Sequence, residues 1–229
     1  MRIVVSTCNT HLHLIPIFTY LFNKYWGEDE VILLGYDEPE DLPDNFTFVQ
    51  MNDGDQGKKQ DFSNHLFSYF SSIDDTHIIW SFEDTFFKSP VKHTVIDILK
   101  SYLSFDEIGR IDLTEGMSTR SNKLFDTNNG LKILSNHTDV NYKISTQMSI
   151  WNRQYLLDYL KPDRTPWTFE TQGSTEAKRD NRLILGVNRP NAPVDKNEGV
   201  TKQNLHKFNL KGMDKETIHY IRSLTNDRN

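Results

Sequence analysis

Glu83 and Asp84 stand side by side after the run His77-Ile78-Ile79-Trp80, separated from it by Ser81-Phe82. Adjacent carboxylates at the end of a buried strand suit a divalent cation and a diphosphate. Mg²⁺ or Mn²⁺ takes one or two carboxylates together with phosphate oxygens, and such an ion neutralises charge on a leaving diphosphate. The same pair also reads as an acidic loop or a helix cap. A second constellation is Thr165-Pro166-Trp167-Thr168-Phe169-Glu170. Thr165 as N-cap and Pro166 at the first helical position open a helix. Glu170 then lies within the first two turns, at the electropositive end. It reads either as a general base, with Trp167 as a platform for a sugar ring or a base, or as a helix-start carboxylate beside core aromatics.

Weaker signals surround these two. Ser6-Thr7-Cys8-Asn9 follows the apolar run Ile3-Val4-Val5. Cys8 is the only cysteine, which excludes an internal disulfide framework and a zinc cluster built on cysteines. It reads as a buried thiol rather than a nucleophile. His11 and His13 sit two apart and read as loop or helix-start histidines rather than as metal ligands. Lys58-Lys59 follows Gly57 and reads as a phosphate contact or as a solvated face. The sequence contains no Gly-x-x-x-x-Gly-Lys-Ser/Thr phosphate loop, no Gly-x-Gly-x-x-Gly fingerprint and no Gly-x-Ser-x-Gly nucleophile elbow.

Strands and helices must alternate to position these residues. Strands are expected at 3–5, 31–34, 46–51, 77–80, 110–113, 142–150 and 183–185, from short apolar runs closed by turn residues. Helices are expected at 14–26, 62–70, 91–102, 154–160 and from Asp214 onward, from apolar residues at helical spacing. Residues 114–140 carry a weak pattern read as loops and small strands, and 186–204 read as loop. Strand–helix alternation over the first 110 residues predicts a mostly parallel α/β sheet, mixed in its second half. In such sheets ligands lie outside the carboxyl ends of the strands. That rule selects Thr7, Cys8, Asn9, Glu83 and Asp84.

The 229 residues suit one domain. Fourteen Phe, nine Tyr and four Trp supply ample core and exclude a wholly disordered chain. With 26 basic against 32 acidic side chains the net charge is −6, so there is no global basic field of a nucleic-acid binder. No stretch reaches the ~20 apolar residues of a spanning helix, and no export signal is visible. The expectation is a soluble, cytoplasmic protein.

The order of several segments resembles small GT-A-type glycosyltransferases of bacteria and their viruses. The first half carries Val4-Val5-Ser6-Thr7-Cys8, Trp26, Val31 to Tyr36, and Ser81-Phe82-Glu83-Asp84-Thr85-Phe86-Phe87 with Pro90-Val91. The second carries Ser145 to Trp151 and Trp167-Thr168-Phe169-Glu170 with Gly173-Ser174. The resemblance covers residues 1–185. It implies one GT-A-like domain over 1–229, with 1–113 binding a nucleotide sugar and 114–229 forming the acceptor half and the C-terminal helix. It implies a nucleotide over Thr7, Cys8 and Asn9, with Lys58 also on the donor side. It implies Mn²⁺ or Mg²⁺ at Glu83 and Asp84, helped by His206. The family's acid-x-acid spacing is absent here, because position 85 is Thr. Glu170 matches the general base of inverting members, and Gln147, Trp151 and Trp167 fall on the acceptor side.

The implied function is transfer of a sugar from a nucleotide-sugar donor to an acceptor hydroxyl, on a glycan or on a hydroxymethylated base of viral DNA. Two alternatives stand beside it. One is a nucleotidyltransferase that builds sugar nucleotides, although Ser6 to Thr10 lacks the Gly- and Arg-rich loop of that class. The other is a non-catalytic nucleotide- or carbohydrate-binding module.

Overall fold

The structure is a computed structural model and describes residues 1–116, 121–127, 130–136, 141–197 and 213–226. In chain order the strands are β1 (Ile3–Ser6), β2 (Val31–Gly35), β3 (Phe46–Gln50), β4 (His77–Phe82), β5 (Phe86–Phe87), β6 (Ile108–Asp112), β7 (Ser121–Asp126), β8 (Lys132–Asn136), β9 (Ser149–Asn152), β10 (Leu183–Val187) and β11 (Lys196–Asn197). The helices are α1 (Ile15–Tyr25), α2 (Phe62–Ser72), α3 (His93–Lys100), α4 (Arg153–Tyr159), α5 (Pro166–Ala177) and α6 (Lys215–Asn226).

Nine strands form one sheet in the order β3-β2-β1-β4-β9-β6-β10-β8-β7, and β5 pairs with β11 apart from it. The sheet is mixed but mostly parallel: β9 and β8 run against the others. Strands from both halves of the chain interleave, since β9 lies between β4 and β6.

The pleat sorts the core onto two faces. Ile3 and Val5 of β1 pack with Phe18, Leu21 and Phe22 of α1, Ile96 and Leu99 of α3, and Ile221 of α6. Val4, between them in sequence, points the other way, to Leu66 and Phe70 of α2, Leu156 of α4 and Phe169 of α5. Every residue of β1 is buried, as expected of a parallel strand covered on both faces.

Two expected elements differ. The strand expected over 142–150 is only Ser149–Asn152. Tyr142 has φ +62, a left-handed conformation that breaks an extended run. The Ile144 amide then donates to Ser174 Oγ at 3.0 Å and the Thr146 amide to Glu170 Oε1 at 2.7 Å, so side chains of α5 replace a neighbouring strand. The weak stretch 114–140 contains an antiparallel pair, β7 and β8, that completes the sheet. The helix expected over 91–102 is α3 followed by a 3₁₀ turn at Ser101–Ser104. Asp214 does cap α6, accepting from the Thr217 amide at 2.9 Å.

Candidate functional site

β1 and β4 are parallel neighbours in register, Ser6 beside Phe82, so their carboxyl ends open onto one edge. Thr7, Cys8 and Asn9 leave β1 there, and Glu83 and Asp84 leave β4 there. β9 runs the other way, with Ser149 opposite Trp80, so the segment before it, Ser145 to Met148, enters at the same edge. The N-terminus of α5 also comes to this edge. Phe62 stacks on Phe82 with ring centroids 6.0 Å apart and meets Phe169 edge-on at 6.4 Å.

Three buried polar atoms at this edge, Thr7 Oγ1, Glu83 Oε2 and Gln147 Oε1, have no hydrogen-bond partner. Buried polar atoms are normally satisfied, and each exception asks for an explanation. Their convergence on the edge that the topology assigns to ligands makes this the candidate site.

On the β1 side a 3₁₀ turn, Asn9–Leu14, follows the strand. The His11 amide donates to the Cys8 carbonyl at 2.8 Å, which brings residues three apart onto one face. His11 Nδ1 hydrogen-bonds Glu83 Oε1. His11 lies in the turn that leads directly into α1, as a helix-start histidine is expected to, and its ring is in addition engaged by Glu83. Glu83 is 1% exposed. Burial pushes its carboxyl upward against the pull of His11. His11 is itself raised, by hydrogen bonding to Cys8 first and to Glu83 second. The pair keeps its proton to higher pH than either group alone. Asn9 ties the nearby loops together: its amide donates to Gln56 Oε1 at 2.9 Å, and its side-chain oxygen accepts from the Asp37 amide at 3.1 Å.

On the α5 side the helix start is as its residues predict. Thr165 caps through Oγ1, accepting from the Thr168 amide at 3.2 Å, and Pro166 is the first helical residue. Glu170 Oε1 accepts three hydrogen bonds: from Ser145 Oγ at 3.2 Å, the Thr146 amide at 2.7 Å and Thr146 Oγ1 at 2.8 Å. Its second oxygen takes no hydrogen bond among the described residues. Trp167 is 62% exposed, and Lys59 Nζ lies 5.3 Å from the centre of its ring. Lys58 is exposed beside it in sequence.

One expected acceptor residue is corrected. Trp151 is fully buried, packed against Trp80, Tyr155 and Phe169. Its position on β9, in the middle of the sheet, closes both ring faces to any ligand. His206 lies outside the described residues. Asp112, which sequence reasoning passed over, sits at the same edge at the end of β6. Its Oδ1 accepts from the amide and hydroxyl of Thr114, each at 2.7 Å, so it serves the local turn. A groove of about 980 Å³ opens elsewhere, between α1, the 38–43 loop and α6. Its lining contains none of Glu83, Gln147, Trp167 or Glu170.

The residues fit a Mg²⁺ or Mn²⁺ ion poorly. Those ions favour oxygen shells, whereas Glu83 is turned to an imidazole and, close by, a thiol. Asp84, half-buried, is the remaining carboxylate of the pair. No helix among the described residues is long and apolar enough to cross a membrane.

No protein-family model matches this sequence, and no curated protein matches it. Solved structures do. The chain is similar to S. aureus TarS 1-349 in complex with UDP, at 10% identity and a TM-score of 0.52, over 99% of this chain and 70% of that one. It is similar to a cytidylyltransferase from Leptospira borgpetersenii serovar Hardjo-bovis, at 9% identity and a TM-score of 0.50, over 100% of this chain and 97% of that one. It is also similar to the mannosyltransferase PcManGT from Pyrobaculum calidifontis in complex with GDP-Man and Mn²⁺, at 12% identity and a TM-score of 0.49. This chain spans 55% of the length of that mannosyltransferase and 65% of TarS 1-349 without nucleotide. At these identities the likeness is one of fold: a GT-A-like sheet shared by nucleotide-sugar glycosyltransferases and cytidylyltransferases.

Proposed function

We propose that this protein transfers a sugar from a nucleotide-sugar donor to an acceptor hydroxyl. The observation that carries the reading is the convergence, at one sheet edge, of the unpartnered Thr7, Glu83 and Gln147 atoms with Glu170 and the open face of Trp167. The GT-A-like fold supports it, and so does the binding of UDP by one structural neighbour. In this reading Thr7, Cys8 and Asn9 face the nucleotide, with Lys58 and Lys59 offering positive charge to its phosphates. The acceptor ring rests on Trp167. Glu170 Oε2 takes the proton from its hydroxyl, the oxygen forms the new bond to the anomeric carbon, and the sugar–phosphate bond breaks with its electron pair leaving on the nucleoside diphosphate. Attack from the face opposite the leaving group inverts the anomeric centre, the two-sided logic of inverting glycoside chemistry. Lys59 over Trp167 also suits an acceptor with anionic groups. A net charge of −6 favours a glycan over modified DNA, whose phosphates require local basic contacts.

A second reading, nucleotidyl transfer to a sugar, is favoured by one observation: the chain matches nearly the whole length of the cytidylyltransferase. The loop after β1 speaks against it, having neither Gly nor Arg through Thr10. One assay separates the readings. The protein is incubated with a panel of nucleotide sugars and glycan acceptors, and in parallel with nucleoside triphosphates and sugar phosphates. Release of nucleoside diphosphate identifies glycosyl transfer. Release of inorganic diphosphate identifies nucleotidyl transfer. Thermal stabilisation by a nucleotide sugar without either product identifies a binding module.

A further inference from the structure

Cys8, His11 and Glu83 each present one ligand atom to a common point: the thiol sulfur, a ring nitrogen and a carboxylate oxygen all lie within 4.8 Å of one another. The three come from separate local devices. Cys8 is the extended residue that caps the 3₁₀ turn two residues after β1, His11 is placed three residues later by that turn, and Glu83 leaves the adjacent strand β4. Glu83 is almost wholly buried and its Oε2 has no partner. A Cys–His–Glu nucleophile would use one carboxylate oxygen and leave Oε2 unsatisfied in the interior. A cation drawn to the carboxylate would give Oε2 the partner that it lacks.

We propose that Cys8, His11 and Glu83 form a site for a zinc-class divalent ion, distinct in ligand chemistry from an all-oxygen Mg²⁺ or Mn²⁺ site. Thiolate, imidazole and carboxylate are the donors that Zn²⁺ and Co²⁺ accept at bond lengths of about 2.0–2.3 Å. Donor atoms at about 2.0–2.3 Å from one tetrahedral ion stand roughly 3.3–3.7 Å apart, so the three groups need a local rearrangement in which the His11 nitrogen and the Glu83 oxygen, now hydrogen-bonded to each other, part to admit the ion. Three protein ligands leave a fourth position for water or an anionic oxygen, the arrangement of an open rather than a closed zinc site. The inference rests on these three side chains and not on the transfer reading.

The test uses the untagged full chain, freed of metal with a chelator and titrated with Zn²⁺ by calorimetry and with Co²⁺ by absorption. One equivalent of each is expected to bind. The Co²⁺ complex should show a near-ultraviolet thiolate-to-cobalt charge-transfer band, which in this chain only Cys8 can supply. Cys8→Ser, a near-isosteric change at a half-exposed position, should keep the circular dichroism of the wild type and lose the band. His11→Asn and Glu83→Gln should each weaken binding by on the order of 10-fold or more, since even outer-shell partners are worth that much. Mg²⁺ at equal concentration should not displace Co²⁺. Absence of saturable one-to-one uptake by the wild type, a Co²⁺ complex without the band, or unchanged affinity in Cys8→Ser would each overturn the proposal. If Glu83→Gln fails to fold, the wild-type band and its loss in Cys8→Ser still decide.

Discussion

Glu170 Oε1 lies 2.7 Å from the amide nitrogen of Thr146, and through this contact α5 holds the segment that leads into β9. The carboxylate therefore has a structural duty on one oxygen, and any proton transfer falls to the other.

Glu170→Gln separates these duties. The amide oxygen can keep the three hydrogen bonds from Ser145 and Thr146, but the side chain cannot accept a proton. Thermal stability and nucleotide-sugar affinity should stay near the wild type, while transfer falls by about 10²–10⁴, the usual cost of losing a general base. Glu170→Ala should additionally lower stability, because the Thr146 amide loses its acceptor. Near-normal transfer by Glu170→Gln in steady-state assays would leave Glu170 with the anchoring duty alone.

The two tryptophans should behave oppositely. Trp167→Ala removes an exposed ring, so its stability should stay within about 0.5 kcal/mol of the wild type. Its KM for acceptor should rise on the order of 10-fold, equivalent to about 1.4 kcal/mol, with donor KM unchanged. Trp151→Ala empties a fully buried site and should cost about 3–5 kcal/mol. Urea denaturation alongside acceptor kinetics checks both. A stability loss in Trp167→Ala, or an acceptor effect in a folded Trp151→Phe, contradicts the assignment.

Asn9 is the link between the end of β1, the 52–57 loop and the residue after Tyr36. Asn9→Ala deletes the oxygen that accepts from Asp37 and leaves its own amide bond to Gln56 in place. The loss should be about 0.5–1.5 kcal/mol of stability, with a several-fold rise in KM for the nucleotide sugar and little change for the acceptor. Equal effects on both KM values would remove Asn9 from the donor side.

Asp180 joins the second half of the chain internally. It accepts from the buried Lys143 at 2.7 Å and from Tyr155 at 2.9 Å, and also from Tyr159. Burial acts to raise its carboxyl, but the hydrogen bonds from Lys143, Tyr159 and Tyr155 outweigh burial and hold it below the ordinary 3.8. A depressed carboxylate stabilises the fold above its unfolded-state value and loses that contribution as pH falls through the folded one. Asp180→Asn should therefore cost about 3 kcal/mol at neutral pH, where Lys143 is left buried without its counter-charge. The difference from the wild type should shrink as pH drops below about 4. Denaturant midpoints at pH 7, 5 and 3.5 measure it, and a pH-independent difference would exclude the ionic contribution.

Much of the scaffold was legible from local chemistry. Ile3-Val4-Val5 and Val31 to Leu34 read as buried strands because unbroken short apolar runs suit strands covered on both faces. Thr165-Pro166 read as a helix start because a hydroxyl cap and a fixed proline φ act within four residues. The pair Glu83-Asp84 and the shared edge of β1 and β4 followed from strand alternation and the position of strand ends. Tertiary structure alone decided the rest. Ile144 to Met148 looks like strand by composition, but the Ile144 amide is taken by Ser174 and the Thr146 amide by Glu170, each more than 20 residues away in sequence. Trp151 and Trp167 are the same residue type, and the insertion of β9 between β4 and β6 buries the first, while the second lies exposed on the first turn of α5. Cys8 reads alone as a buried thiol and His11 only beside His13, and neither carries metal chemistry until a third donor arrives. Parallel pairing of β1 with β4 brings Glu83 to them across 72 residues from His11, a long-range contact that no local pattern encodes.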